Sequence, residues 1–273
     1  MTGTYDREAC ELGGSLSTEP RVLSPLSSQH AALSTQHRVT LTLIILTFAL
    51  GLIIDQHGGL GGQFLVAAWT WGVFFSLLRS SPREWRLPFF ACLVWATAGE
   101  IFLSLVWGLY TYRLGNIPLF IPPGHVLLFY LGLVLAPRVP RAFDPLVSAA
   151  AVGYAVLAWI HGFDTISIPL IVLFILCMLQ PARRRLYAVI FVVSLGLEVY
   201  GTWIGNWVWH RDVPYLGLNS WNPPLAAGAF YCALEVLTGV TARTLRRLHG
   251  RAAVPAAIQG SGWVGDPRRD TTG

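Results

Sequence analysis

The stretch GEIFLSLVWGLYTYRLGNIPLFIPPGHVLLF, residues Gly99–Phe129, is the most informative part of this sequence. It places one carboxylate, Glu100, inside an apolar run and follows it with aromatic residues, one arginine and the step Pro122-Pro123. A related string, LEVYGTWIGNWVWHRDVP, occupies Leu197–Pro214. An apolar segment that keeps an ionisable side chain, and does so twice, is the starting point for both the fold and the function.

The composition indicates a membrane protein. Hydrophobic residues make up 54% of the chain and charged residues 12%, and the mean hydropathy is +0.55. Long apolar runs with few charges are typical of polytopic membrane proteins. The net charge of +5 comes from 19 basic residues, all of them arginine. These arginines lie in short groups between apolar runs and not on one soluble face, so we expect no nucleic-acid partner.

Eight segments have the character of transmembrane helices, each near the roughly 17–25 residues that a bilayer requires. The sequence therefore predicts an all-α polytopic membrane protein with about eight spans. The fourth and sixth segments are short for a span. The segments are Val39–Ile54, Gln63–Leu78, Pro88–Tyr110, Pro123–Ala136, Pro145–Ile160, Ile166–Leu179, Leu186–Gly205 and Pro223–Ala242.

The arginines predict the orientation. Alternate loops carry groups of them, whereas the loops between hold only Arg113 and Arg211. By the positive-inside rule both termini are cytoplasmic, which requires an even number of spans. We expect a multi-pass protein of a bacterial-type inner (cell) membrane. The arginine groups are Arg79, Arg83 and Arg86, then Arg138 and Arg141, then Arg183, Arg184 and Arg185, and finally Arg243, Arg246 and Arg247.

The two related strings suggest an internal duplication. Glu100 aligns with Glu198, an offset of 198 − 100 = 98 residues, and Tyr110 and Tyr112 align with Trp207 and Trp209. Each string leads to a Pro-Pro step that is expected to open a helix, because proline is well placed in a first turn. Duplication of a four-helix unit predicts two parallel repeats related by an axis along the membrane normal. Chance similarity between two aromatic-rich segments is the alternative.

These features divide the chain into five parts. Residues 1–38 are polar and predict a disordered cytoplasmic leader, and 249–273 predict a disordered cytoplasmic tail. The first four-helix repeat is expected over 39–136 and the second over 144–248, with a cytoplasmic linker at 137–143.

Glu100 and Glu198 are the candidate catalytic residues. Burying a carboxyl group in hydrocarbon is costly, so such residues normally face the bundle interior and are functional candidates. Desolvation favours the neutral acid, which is a competent proton donor. The alternative is that each glutamate only bonds to a neighbouring helix or pairs with Arg113 or Arg211. Glu235, a third intramembrane acid without a counterpart in the first half, is a secondary candidate.

The predicted substrate-binding residues crowd the ends of the two glutamate helices. Aromatic faces stabilise cations by roughly 0.5–2 kcal/mol each, which would suit a carbocation formed by protonating an alkene. An ordinary interfacial belt of aromatic residues is the alternative. No histidine or acid pattern has metal-ligand spacing, so we expect no metal. The predicted residues are Trp107, Tyr110, Tyr112, Arg113, His125, Trp203, Trp207, Trp209, Arg211 and Asn222.

The strings WGLYTYRLGNIPLFIPP and EVYGTWIGNWVW resemble the carotenoid-biosynthesis membrane protein family that includes the carotenoid 1,2-hydratases. Members of that family pair a membrane acid with a downstream Gly-x-Tyr-x-Tyr and a Leu-Gly…Pro element. Gly108 to Tyr112 and Leu114-Gly115 match this shape, and Glu198 with Gly201 matches the acid-Gly part, whereas tryptophan replaces tyrosine in the second half. The resemblance implies a polytopic, cofactor-free enzyme that acts on a polyisoprenoid end group.

The leading hypothesis is a membrane enzyme of isoprenoid or carotenoid metabolism with a lipid-like substrate. One glutamate would protonate a terminal double bond, and water capture or ring closure would follow. We expect both carboxyl groups at the floor of one cleft that opens toward the outer leaflet. A proton-coupled transporter or flippase with two parallel repeats is the rival hypothesis. A non-catalytic assembly or sensor protein is the third.

Overall fold

The computed structural model describes residues 35–248, which form eight α-helices. Each of the eight predicted segments falls on one of them. The predicted leader and tail lie outside the described residues, except that α1 already begins at Thr35, inside the predicted leader. The helices are α1 (Thr35–His57), α2 (Gly59–Ser80), α3 (Arg83–Glu100), α4 (Ile121–Leu135), α5 (Phe143–Ile160), α6 (Ser167–Met178), α7 (Arg184–Ile204) and α8 (Gly228–Leu248).

The helices confirm an all-α protein of membrane-embedded character. Six helical stretches of the described chain are long and apolar enough to cross a bilayer. The other two helices are α6, which is apolar but short, and α8, which carries Glu235 and three arginines. The six stretches are His37–His57, Gly59–Ser80, Arg83–Val106, Ile121–Arg138, Phe143–Ile160 and Pro181–Ile204.

Helix α3 ends earlier than its sequence predicts. It continues as a π-helix over Ile101–Val106, and the chain then leaves the helical path at Gly108, whose φ of 76° is the left-handed conformation that glycine adopts readily. The sequence predicted that Tyr110 ends the helix. The structure instead places Tyr110 in the short strand β1 (Tyr110–Tyr112). The hydrophobic pattern could not predict where the helix ends, because the residues before and after the end of the helix are similarly apolar.

Four short strands lie beyond the helices at one end of the molecule. Strand β1 pairs antiparallel with β2 (Trp207–Trp209), so that Tyr110 lies opposite Trp209 and Tyr112 lies opposite Trp207. A second antiparallel pair joins β3 (Asp212–Val213) to β4 (Leu218–Asn219). The end of the molecule that carries β1 and β2 is called the strand end below.

The two Pro-Pro steps behave differently. Pro122 and Pro123 lie in the first turn of α4, as predicted. Helix α8, however, begins only at Gly228, so the prediction that Pro223-Pro224 opens a helix is wrong. The backbone N–H of Leu225 donates to the Asp164 carboxylate at 3.1 Å, which holds this segment as a loop against the turn between α5 and α6.

Helices α3, α4, α7 and α8 form the centre of the fold, because α3 and α7 each pack against both α4 and α8. Helices α1 and α2 pack against α4 on one side, and α5 and α6 pack against α7 on the other. The arginine groups at Arg83, Arg138 and Arg183 lie where central helices begin or end, opposite the strand end. Arg246 of α8 donates to the backbone oxygen of Glu84 in α3, which ties these helix termini together.

Candidate active site

Two buried glutamates meet beneath the strand end. Glu100 is the last residue of α3 and Glu198 lies in α7, and each is 6% exposed. Both line the same two clefts. The packing of α3 and α7 around α4 and α8 thus brings the two predicted catalytic residues into one site.

Glu100 accepts hydrogen bonds from β1. The hydroxyl groups of Tyr110 and Tyr112 both donate to Glu100 Oε2, at 2.8 and 2.6 Å. Burial raises the pKa of both tyrosines well above its usual range, so both phenols stay protonated and act as donors. The other oxygen, Oε1, lies 3.4 Å from Nε2 of His125.

Glu198 accepts hydrogen bonds from β2 in the same manner. The indole N–H groups of Trp207 and Trp209 donate to Glu198 Oε2, at 2.8 and 3.1 Å. Oε1 accepts a third hydrogen bond, at 2.7 Å, from the hydroxyl of Tyr231 in α8. Each glutamate is therefore held by two aromatic donors from the strand that follows its own helix.

The alternation of side chains along a strand explains why the aromatic residues of β1 and β2 point at the carboxylates. Alternate residues of a strand point to the same face, so Tyr110 and Tyr112 share a face, as do Trp207 and Trp209. The residues between them, Thr111 and Val208, are exposed. All four buried rings therefore point from the strand pair toward the two carboxylates.

The π-helix sets the register of the first strand. Tyr110 follows Glu100 by 110 − 100 = 10 residues, whereas Trp207 follows Glu198 by 207 − 198 = 9 residues. A π-helix accommodates one extra residue in a helical turn. The wider turn over Ile101–Val106 thus absorbs the extra residue and lets both strands present their aromatic side chains in the same way.

Gly201 makes room for Trp207. A Cβ atom at Gly201, one turn after Glu198 in α7, would overlap the Trp207 indole ring. The ring consequently crosses the bare backbone of α7 to reach the Glu198 carboxylate. This is the structural reason for the acid-x-x-Gly pattern of Glu198 and Gly201.

His125 and Tyr231 complete the site from the first turns of α4 and α8. Their rings stack with centroids 5.0 Å apart and an interplanar angle of 10°. His125 contacts Glu100, and Tyr231 contacts Glu198, so each glutamate has one of the two stacked rings beside it. The sequence did not single out Tyr231. Its place shortly after the second Pro-Pro step was the available signal.

Among residues 35–248, two clefts reach the carboxylates, where the sequence predicted one. The first has an empty volume of about 580 Å³, part of which is open to the surroundings, and lies among α1, α2, α4 and α7. The second, of about 440 Å³, lies between α3 and α8. Five residues line both clefts, namely Glu100, Tyr110, His125, Glu198 and Tyr231. The carboxylate pair therefore separates two largely apolar spaces.

Two predicted tryptophans lie outside the clefts. Trp203 is 80% exposed on the outer surface of α7. Five residues along a helix turn the side chain by about 140°, so Trp203 points away from the side that carries Glu198. The Trp107 indole donates to the backbone oxygen of Pro214 at 3.1 Å and joins two loops of the strand end.

The predicted polar residues also have positions outside the clefts. Arg113 donates to the backbone oxygen of Asp55 and lies 3.7 Å from its carboxylate, and the Arg211 side chain is exposed. Neither arginine therefore pairs with a site glutamate, the alternative considered above. Asn222 Oδ1 accepts the backbone N–H of Trp209 at 2.8 Å, so Asn222 positions β2 from outside the site.

Asp55 anchors the strand end, a role that the sequence did not reveal. It is 1% exposed, and its carboxylate accepts hydrogen bonds from Asn206 at 2.6 Å and Gln63 at 3.3 Å. Asp164 acts similarly in the turn between α5 and α6, where it accepts from Tyr154 and Ser167. Both aspartates fix backbone that leads into the aromatic site.

Glu235, the secondary candidate, lies one helical turn beyond Tyr231 in α8, on the side away from the strands. It is 3% exposed and forms a buried ion pair with Arg183. It also lines a smaller cavity that reaches His125 and Tyr231, but neither of the two clefts. The geometry thus gives Glu235 a structural partner and separates it from the carboxylate pair.

No family of proteins, no curated protein and no solved structure matches this chain. The functional assignment therefore depends on the geometry of the site and on the sequence motifs.

Proposed function

We propose that this protein is a membrane-embedded enzyme of isoprenoid or carotenoid metabolism that protonates an alkene end group for hydration or cyclisation. The observation that carries the proposal is the pair of buried carboxylates, Glu100 and Glu198, which share one aromatic-walled site. Intramembrane carboxyl groups that face a cavity are costly to bury and are functional candidates. The resemblance of the two strings to the carotenoid-biosynthesis family supports a polyisoprenoid as the substrate class.

The chemistry needs a proton donor, a shielded cation and an acceptor. One glutamate protonates the terminal double bond, which leaves a tertiary carbocation. The rings of Tyr110, Tyr112, Trp207 and Trp209 surround the carboxylates and can stabilise positive charge by roughly 0.5–2 kcal/mol each. The second glutamate positions water or takes back the proton after hydration or ring closure. These steps require no metal and no other cofactor.

The shape of the clefts supports a lipid-like substrate. The larger cleft is walled by apolar side chains, among them Phe48, Leu52, Phe120 and Leu197, and its charged groups are confined to the carboxylate end. Largely apolar pockets with a few convergent polar groups are typical of small-molecule sites. A chain of isoprene units would fill such a space and place its end group beside the carboxylates.

We further propose that all eight helices cross a bacterial-type inner membrane as two parallel four-helix repeats with cytoplasmic termini. The strand register supports this. An axis that relates Tyr110 to Trp207 and Tyr112 to Trp209 exchanges the two facing pairs, Tyr110–Trp209 and Tyr112–Trp207, so the observed register is compatible with such an axis. The four central helices follow the same relation, because α3 packs against α8 as α7 packs against α4.

A proton-coupled transporter or flippase is the second candidate. The observation that favours it is the presence of two clefts that reach the same carboxylates. A binding site between two parallel repeats, open in turn to either side, is a common transporter arrangement.

Expression in a lycopene- or squalene-producing host, followed by pigment and lipid extraction, tests the enzyme. We expect a new product with the wild type and with the control Glu84→Gln, which changes an exposed glutamate at the arginine-bearing end of α3. Glu100→Gln and Glu198→Gln should lose the product at an unchanged membrane level, since an amide is a poor proton donor and cannot carry the negative charge of a carboxylate. If the product persists in both variants, the proposed chemistry is wrong. Proton-driven movement of an unmodified lipid in proteoliposomes would establish the transporter instead.

A further inference from the structure

The two carboxylates are inequivalent, although their surroundings are arranged alike. Glu198 has hydrogen-bond donors on both oxygens: two indole N–H groups on Oε2 and the Tyr231 hydroxyl on Oε1. An indole N–H can only donate. Donors on a carboxylate favour its charged form. The three donors therefore favour the ionised form of Glu198, against the desolvation that its burial imposes.

Protonation of Glu198 would disturb these contacts. With two indoles on Oε2, the proton would have to lie on Oε1 and point at Tyr231. The Tyr231 hydroxyl would then need another acceptor for its own hydrogen. Within residues 35–248 the structure shows one hydrogen bond of this hydroxyl, the one to Glu198.

Glu100 has a partner that can exchange roles with it. Nδ1 of His125 lies 2.9 Å from the backbone oxygen of Ile121. A carbonyl oxygen only accepts, so Nδ1 carries a hydrogen, and Nε2 is the nitrogen whose protonation is free to change. Nε2 faces Glu100 Oε1 at 3.4 Å. A neutral carboxylic acid beside a neutral imidazole avoids two buried charges, whose desolvation is costly. Stacking on Tyr231 fixes the plane of the imidazole.

On the basis of the proposed function, we infer that Glu100, with His125 as its partner, is the proton donor and that Glu198 stays ionised throughout. Of the two roles proposed for the second glutamate, this leaves Glu198 the positioning of water and not the return of the proton. In the forward step the O–H bond of Glu100 breaks, and the alkene π electrons form the new C–H bond. The positive charge on the tertiary carbon then lies near the Glu198 carboxylate. In hydration, water adds to this carbon and its proton returns to Glu100 and His125. In cyclisation the proton lost from the ring returns to them.

Infrared spectroscopy of the substrate-free protein, with carbon-13 in the glutamate carboxyl groups, locates the proton. At neutral pH we expect one protonated-carboxyl band from the described glutamates. It should disappear in Glu100→Gln and persist in Glu198→Gln. Absence of the band in the wild type, or its loss in Glu198→Gln, would overturn the assignment.

A second variant covers the case in which Glu198→Gln does not fold. Trp207→Phe removes one donor from Glu198 and should shift a carboxylate band while it leaves the protonated-carboxyl band in place. A shift of the protonated band in this variant would contradict the inference. These measurements need no substrate, so they test the position of the proton independently of the product assay. A host that makes no new product would refute the proposed function, whereas the infrared result alone decides between the two glutamates.

Discussion

Tyr110 and Trp209 face each other across the strand pair, yet they hold different carboxylates. Their ring centroids are 4.7 Å apart. Tyr110 donates to Glu100 at 2.8 Å, and Trp209 donates to Glu198 at 3.1 Å. Each strand therefore serves the glutamate of its own half while it packs on the strand of the other half. A change in one half should consequently be felt in the other.

The first prediction is that Tyr110→Phe and Trp209→Phe are energetically coupled. Each should lower the free energy of unfolding by about 1–3 kcal/mol, because it removes a donor from a buried carboxylate. Residues in contact are commonly coupled by about 0.5–3 kcal/mol. Thermal unfolding of both single variants and the double variant in detergent measures the coupling. Tyr215→Phe, at a tyrosine that is 91% exposed, is the control. Strict additivity would show that the strands act independently.

The second prediction concerns Gly201. Gly201→Ala should displace the Trp207 indole, which overlaps the added methyl group, and destabilise the protein by about 1–3 kcal/mol through overpacking. Gly196→Ala in the same helix meets no neighbouring atom within 4 Å. This control should be neutral or more stable by up to about 1 kcal/mol, because alanine favours helix more than glycine does. Equal melting temperatures of the two variants would rule out a specific role for Gly201.

The third prediction separates Glu235 from the chemistry. Glu235→Leu should destabilise the protein by about 3–5 kcal/mol, because it breaks a buried ion pair and leaves the Arg183 charge without its carboxylate. The double variant Glu235→Leu/Arg183→Met should recover much of the loss and retain activity in the pigment assay. Loss of activity in a double variant that is well folded would instead make Glu235 part of the functional site.

The fourth prediction is the topology. Reporter fusions after Arg86, Arg141 and Arg185 should report the cytoplasm, because these positions follow the arginine groups. Fusions after Gly59, Arg113 and Arg211 should report the opposite side, which would be the side of the strand end. A cytoplasmic signal from the Arg113 fusion would contradict the orientation.

The sequence alone was sufficient for the helices and for the two acids. Helix α5 could be predicted because an apolar run of suitable length is a local property, and the eight predicted segments all fall on helices. Glu100 and Glu198 could be singled out because a carboxyl group in such a run is costly. Helix boundaries were less predictable. The π-helix after Glu100 depends on the register of the strand that follows it. The late start of α8 at Gly228 depends on the hydrogen bond that the backbone N–H of Leu225 donates to Asp164.

The partners of the buried polar groups were decided by the tertiary structure. Asp55 bonds to Asn206, and Glu198 bonds to Tyr231, through contacts between segments that are far apart in the chain. Trp203 and Trp207 both follow Glu198 closely, yet one faces outward and the other reaches the carboxylate, because α7 ends between them and Gly201 leaves room for a ring. A hydrophobic pattern states which residues avoid water. Which donor bonds to a buried carboxylate depends on how helices that are distant in the chain pack together. The local sequence pattern does not contain this information, because the packing depends on the whole fold.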